Sequence, residues 1–388
     1  MKPQLDLTKT YAIALEGGGA KGGYEIGVWK ALEEMGVKYN AVAGTSVGAL
    51  NGALMAMRDL PRAIEAWKDI RLDKVIDYDA DQEENLRRIV SGEMDISNIH
   101  ELIPQAFDVI RKRGLDVAPL RAWVREVVDS KKIKNSDVEL FIATVSLTDR
   151  KGLELCVNDL GEDEICDMLL ASAYHPTFRL EKLGGKLYAD GGFIDSLPLH
   201  VLVANGYKDI IAVRIPSRFS RERRFKIPED VNIWYVDTDA DLGGVLNFSA
   251  EQAQRDMAIG YYDAWHDLCG LYGKRYYIER SMTEREAFTQ ILERYLRRTP
   301  DISLRELCEK ELPRLGRGLE VTGDYYDLFV ALLEVMAEER GLERMRFYTD
   351  AELLSLILTT PPLKEEEAPA ETEEETAAEE PEKCAARE

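Results

Sequence analysis

The chain has 388 residues, 45% of them apolar, enough for one large α/β domain with an appendage or two modest domains, and too many for global disorder. Its formal net charge is −22; between Lys364 and Glu388 eleven Glu stand against three Lys or Arg, which puts −8 on that stretch and −14 on the rest. An acidic body repels phosphate backbones, so no nucleic-acid partner is expected, and any contact with a lipid surface must rest on local apolar or basic patches.

In chain order, Tyr11–Leu15 reads as a strand that ends in Glu16 and the run Gly17-Gly18-Gly19-Ala20-Lys21-Gly22. A helix follows from Tyr24 to Met35, with Gly36 as its stop. Ala41–Ala43 is a second short strand leading into Gly44-Thr45-Ser46-Val47-Gly48, and small and apolar residues continue to Met57 as a buried helix. This order of strand, glycine turn, helix, strand, tight turn and helix predicts an α/β fold with a mainly parallel central sheet flanked by helices.

From Ala63 to Val128 the pattern is mostly helical and polar, placed either to cap a site or to cover one face of the sheet. Strands are expected at Val138–Ser146, Leu153–Val157, Lys186–Ala189, Ile210–Ile215 and Val231–Val236, with a helix over Leu160–Ala173. Beyond about Leu246 only helical patterns remain, and Pro361-Pro362 opens a Glu-, Ala-, Pro- and Thr-rich tail that cannot bury enough apolar surface to fold. The expected organisation is a catalytic domain over 1–245, a helical region over 246–360 and a disordered acidic tail over 361–388.

Cys156, Cys166, Cys269, Cys308 and Cys384 are odd in number and form no CxxC pair, which points to a reducing, cytoplasmic setting and to no zinc site. The N-terminus shows no secretory signal, and no window reaches the ~18 apolar residues of a membrane span. Asp and His residues form no cluster at ligand spacing, so no metal and no cofactor are expected.

Gly17, Gly19 and Gly22 fit GxGxxG, which suits any anion at a helix N-terminus, dinucleotide phosphates included. A dinucleotide unit, however, should end its second strand in Asp or Glu for the ribose hydroxyls, and here that strand ends in Gly44-Thr45-Ser46. Gly44-Thr45-Ser46-Val47-Gly48 fits G-x-S-x-G between strand and helix, the context a nucleophile elbow requires. A serine nucleophile needs a base. Of the four histidines, His100, His175, His200 and His266, none is presented on a glycine loop at a strand end. Asp190 is, followed by Gly191-Gly192; a plain Asp-Gly turn without chemistry is the competing reading.

The motifs Gly17–Gly22, Gly44–Gly48 and Asp190-Gly191-Gly192, in this order, resemble those of the patatin-like phospholipases, of the bacterial type. Leu170-Ala171-Ser172-Ala173 and Asp195–Pro198 are similar to the stretches that flank the family's Asp motif, and the likeness covers about Tyr11 to Ile215. The resemblance implies an oxyanion hole from Gly17, Gly18, Gly19 and Gly22 with the charge of Lys21 nearby, Ser46 as nucleophile in an elbow framed by Gly44 and Gly48, and Asp190 as its base. It implies a lipid acyl hydrolase that works through a Ser–Asp dyad and an acyl-enzyme, with a lipid or acyl-ester substrate and transient contact with a membrane surface. Lys21 stands where the family more often has Arg, and Tyr174-His175-Pro176 where it is usually apolar or small. A carboxylesterase or thioesterase on soluble esters, a binding protein of the same fold without catalysis, and a dinucleotide-binding module remain open. The oligomeric state is not readable.

Overall fold

A computed structural model describes residues 1–77, 114–215 and 222–363. His100, most of the polar helical stretch expected between Ala63 and Val128, and nearly all of the acidic tail lie outside the described residues.

The central sheet has seven strands: β1 (Thr10–Leu15), β2 (Lys38–Thr45), β3 (Glu139–Ser146), β4 (Lys151–Cys156), β5 (Tyr188–Asp190), β6 (Asp209–Val213) and β7 (Asn232–Val236). They run in the order β4-β3-β2-β1-β6-β7, with β5 paired to β3. The pairs β3–β2, β2–β1, β1–β6 and β6–β7 are parallel, whereas β4 and β5 are antiparallel to β3. Parallel neighbours require crossovers, and the chain supplies them as α1 (Gly23–Met35) between β1 and β2, and α2 (Val47–Ala56), α3 (Leu60–Lys68), α4 (Ala118–Val127) and α5 (Ser130–Lys134) between β2 and β3. After β4 come α6 (Glu162–Ser172) and, between β5 and β6, α7 (Leu199–Ala204).

Alternation along the strands gives the sheet two unlike faces. Ile13, Leu15, Val42, Leu140, Ile142, Ile211 and Val213 face the larger core together with α1, α2, α4 and α6. Ala12, Ala14, Ala41, Ala43 and Ala212 line the other face, where small side chains let Leu199, Val201 and Leu202 of α7 sit close. Every residue of α2 is buried, which explains an apolar run with no polar side.

α8 (Ala250–Cys269) lies beyond residue 245, yet its Ala253, Ile259, Ala264 and Leu268 belong to the core of the sheet, packed against α1. A separate apolar cluster begins at Tyr276 and is built from α9 (Glu284–Arg298), α10 (Leu312–Gly318), α11 (Tyr325–Glu338) and α12 (Asp350–Thr359). The sequence patterns suggest helices alone in this region; the structure adds β8 (Tyr277–Glu279) and β9 (Phe347–Thr349), paired in parallel. Three residues per strand are too few for alternation to register, and pairing across the chain decides them. One carboxylate, Glu334 on α11, accepts from the amides of Lys274, Arg275 and Tyr276 and so ties this cluster to the segment leaving α8. No helix among the described residues is long and apolar enough to cross a membrane.

Candidate active site

The topology brings two strand ends together. β2 pairs with the first half of β3 up to Thr45↔Ala143, and β5 pairs with the second half from Thr144↔Asp190. Since β4 occupies the other edge of β3, β2 and β5 share one edge and run head-on. Ser46, one residue past the end of β2, therefore faces Asp190, the last residue of β5. Ser46 Oγ donates to Asp190 Oδ2 at 2.7 Å, and the amide of Gly192 donates to Asp190 Oδ1 at 2.8 Å.

Ser46 has φ 56 and ψ −123, a backbone conformation that costs a non-glycine residue roughly 1–3 kcal/mol and survives only where the surroundings over-determine it. The surroundings do so. The amide of Ser46 donates to Ser172 Oγ at 3.0 Å, and Ser172 Oγ donates in turn to the carbonyl of Ala143 at 2.7 Å. A Cβ on Gly44 would lie 2.1 Å from the carbonyl oxygen of Gly48, and one on Gly48 would lie 2.6 Å from that of Leu15. The elbow thus needs glycine on both sides because backbone, not side chain, packs against it.

The first glycine turn leaves β1 beside this elbow. Gly17 N donates to the carbonyl of Ser196 at 3.0 Å and Ala20 N to that of Val245 at 2.8 Å. The amides of Gly18 and Gly19 between them have no acceptor among the described residues. Gly19 has φ +59, and a Cβ there would meet the Val245 oxygen at 2.2 Å. Ser196 belongs to the segment after the Asp motif, and so does Asp195, whose carbonyl accepts from Thr45 Oγ1 at 2.8 Å. That one segment fastens both glycine turns to each other, which explains why residues after Asp190-Gly191-Gly192 belong to the same pattern.

Burial sets the electrostatics. Asp190 is 8% exposed, and loss of hydration raises its carboxyl to about 6, against the lowering effect of the Ser46 and Gly192 hydrogen bonds. Glu16, directly before the first glycine turn, is raised to about 7 by burial and accepts from the amide of Ile215 at 2.8 Å. Lys21 is half-buried; burial lowers its ammonium, while Asp241, Asp256 and Glu16 act the other way. The described histidines are engaged elsewhere: His175 with Thr177, His200 with Glu154, and His266 with Asp267 and the carbonyl of Gly273. None of Ser46's hydrogen bonds among the described residues reaches a histidine.

Two polar residues of the site gain their roles only from the structure, Ser172 within the small-residue stretch Leu170–Ala173 and Asn51 outside every motif. Ser172 reads in sequence as one of several small residues on a helix, and Asn51 as a polar exception within the apolar α2. A polar side chain on an all-apolar helix is the signal that could have found Asn51, because a buried amide must be paired.

A family model described as patatin-like phospholipase matches residues 13–203. Over 214 residues the chain is 29% identical to human patatin-like phospholipase domain-containing protein 6, covering 54% of this chain and 14% of that protein. Over 208 residues it is 26% identical to lysophospholipase NTE1 of Mycosarcoma maydis, covering 53% of this chain and 10% of that protein. The chain thus spans a small fraction of the length of these curated relatives. The crystal structure of VipD from Legionella pneumophila is similar at a TM-score of 0.38 and 14% identity, over 90% of this chain and 88% of that one. Through residues 13–203 the chain belongs to the patatin-like phospholipase family.

Proposed function

We propose that the chain is a serine hydrolase of lipid acyl esters, with Ser46 as nucleophile and Asp190 as its base. The observation that carries this is the 2.7 Å hydrogen bond from Ser46 Oγ to a buried carboxylate. A nucleophile hydroxyl held against a base, on an elbow beside unpaired amides, is the arrangement that acyl transfer needs. Family membership and a relative named lysophospholipase support a lipid ester as substrate.

In this reading Ser46 Oγ attacks the acyl carbonyl carbon while its proton passes to Asp190 Oδ2. The oxyanion that forms is taken up by the free amides of Gly18 and Gly19, with the partial positive charge of the α2 N-terminus behind Ser46. Asp190 then returns the proton to the departing alcohol oxygen, leaving the acyl group on Ser46. A water gives its proton to Asp190 and attacks the acyl-enzyme, and the fatty acid leaves as Ser46 regains its hydrogen. An ordinary aspartate is a weak base for this; burial that raises Asp190 to about 6 strengthens it by roughly two units.

Every residue given a chemical role lies within 1–245, so we assign catalysis to that part and no chemistry to 246–360. On its cysteine usage we place the chain in the cytoplasm, with transient contact at a lipid surface. The test is release of fatty acid from a lysophospholipid and from a short-chain nitrophenyl ester, measured beside Ser46→Ala. Release from the lysophospholipid, abolished in the variant, is expected. Release from the soluble ester alone makes the chain a carboxylesterase, and no release from either leaves a binding protein of the same fold.

A further inference from the structure

Asn51 lies five residues after Ser46, wholly buried within α2. Its Nδ2 donates to the carbonyl of Gly22 at 2.9 Å and to Glu25 Oε2 at 2.7 Å, and its Oδ1 accepts from Trp67 Nε1 at 2.8 Å. Two acceptors on one side and an indole N–H on the other allow only one orientation of the amide. One side chain therefore joins the nucleophile helix to the last residue of the glycine turn, to the first turn of α1 and to α3. The contact is also tight: a Cβ on Gly22 would lie 2.4 Å from Val47 Cγ2 and 2.7 Å from Trp67. Val47 is the residue next to Ser46, so the end of the glycine turn bears directly on the elbow. Glu25 is itself wholly buried, its second oxygen Oε1 without a hydrogen-bond partner among the described residues, and burial pushes its carboxyl well above the carboxylate range.

A buried group that satisfies three partners from three elements is costly to remove and fixes their relative placement. Here the placement it fixes is that of the Gly18 and Gly19 amides relative to Ser46 Oγ. We propose that Asn51 is a positioning residue for acyl transfer, a clamp that holds the glycine turn in register with the nucleophile elbow; this rests on the reading of Ser46 above. The clamp acts on the distance from nucleophile to oxyanion donors and touches no substrate. Its loss is felt where the oxyanion forms, in turnover, more than where substrate first binds.

The experiment compares the full chain with Asn51→Leu and with Trp67→Phe, which removes the indole donor together with part of the buried ring. Hydrolysis of a nitrophenyl ester gives kcat and KM, and a reversible trifluoromethyl ketone, which forms an oxyanion on the serine, gives a Ki. Thermal melts establish that the variants are folded. For Asn51→Leu, kcat is expected to fall ~10–100-fold with KM within about threefold, and Ki to rise in parallel with the loss of kcat. For Trp67→Phe the same split is expected at a few-fold. If Asn51→Leu does not fold, Trp67→Phe decides. Folded variants that keep kcat and Ki overturn the clamp while leaving Ser46 as nucleophile. A wild-type chain that neither turns over the ester nor binds the ketone overturns the reading of Ser46, and this inference with it.

Discussion

Ser46 and Asp190 meet because β2 and β5 run toward each other along one edge of β3, and the hydroxyl of the first is 2.7 Å from the carboxylate of the second. No loop has to carry the carboxylate to the hydroxyl. Both are delivered by strand ends paired to the same central strand, which is as rigid a mount as a sheet offers.

The pH dependence follows from the environment of Asp190. In the proposed role of base it must be ionised, and burial raises its carboxyl from 3.8 to about 6. Ester turnover is therefore expected to rise with pH through about 6, with unit slope below that value, and to level off above it. A pH–rate profile of kcat/KM with a short-chain ester checks this. A limb near 4 would mean that burial does not set the base, and a limb near 7 abolished by a histidine substitution would name a different base.

The same shift has a cost in stability. The folded-state value lies above the unfolded one, so the folded protein holds the extra proton between them, and stability falls as pH rises through about 6. A displacement of about two units corresponds to about 3 kcal/mol, fully felt above pH 6 and gone once the pH falls below 3.8. Asp190→Asn removes the charge at the price of one weakened hydrogen bond. It is expected to abolish turnover yet raise the melting temperature at pH 8 by several degrees, with a smaller gain at pH 4.5. Calorimetry at the two pH values checks this, and a lower melting temperature at pH 8 would contradict it.

Ser172→Ala leaves the amide of Ser46 without its acceptor and the carbonyl of Ala143 without its donor. Stability is expected to fall by about 1–3 kcal/mol, the cost of stranding buried polar groups. Because the lost bond is one of the contacts that hold Ser46 at φ 56, turnover is expected to fall ~10-fold or more with KM little changed. Denaturant melts and steady-state kinetics on the same preparation check both parts.

Gly27→Ala tests whether α8 is part of the sheet's core. A Cβ at Gly27 would lie 1.9 Å from the carbonyl oxygen of Met257 on α8, and backbone cannot swing aside as a side chain can. A loss of about 3 kcal/mol or more is expected, at or beyond the upper end for overpacking. A melting temperature within two degrees of wild type would mean that α1 and α8 do not pack this closely.

The sheet and its glycine turns were legible because they are written locally. A strand that ends in glycines before a helix leaves few alternatives, and the positions of Ser46 and Asp190 at strand ends follow from punctuation alone. The direction of β5 was not legible, since three residues carry no direction and only the pairing with β3 supplies it. The same holds for β8 and β9. The periodicity of α8 marks an apolar face but not its partner, and that partner is α1, some 230 residues away in sequence, reached by Gly27 and Gly260 at backbone distance. Asn51 and Ser172 are single polar residues in apolar or small surroundings, and what they bind is set by tertiary placement alone.

The most direct measurement is trapping of the acyl-enzyme. Intact-mass spectrometry of the chain, quenched in acid during turnover of a slow ester, is expected to show one added acyl group that peptide mapping places on Ser46. It should be absent from Ser46→Ala and much reduced in Asp190→Asn. Turnover by wild type with no covalent adduct and with activity surviving in Ser46→Ala would contradict the account.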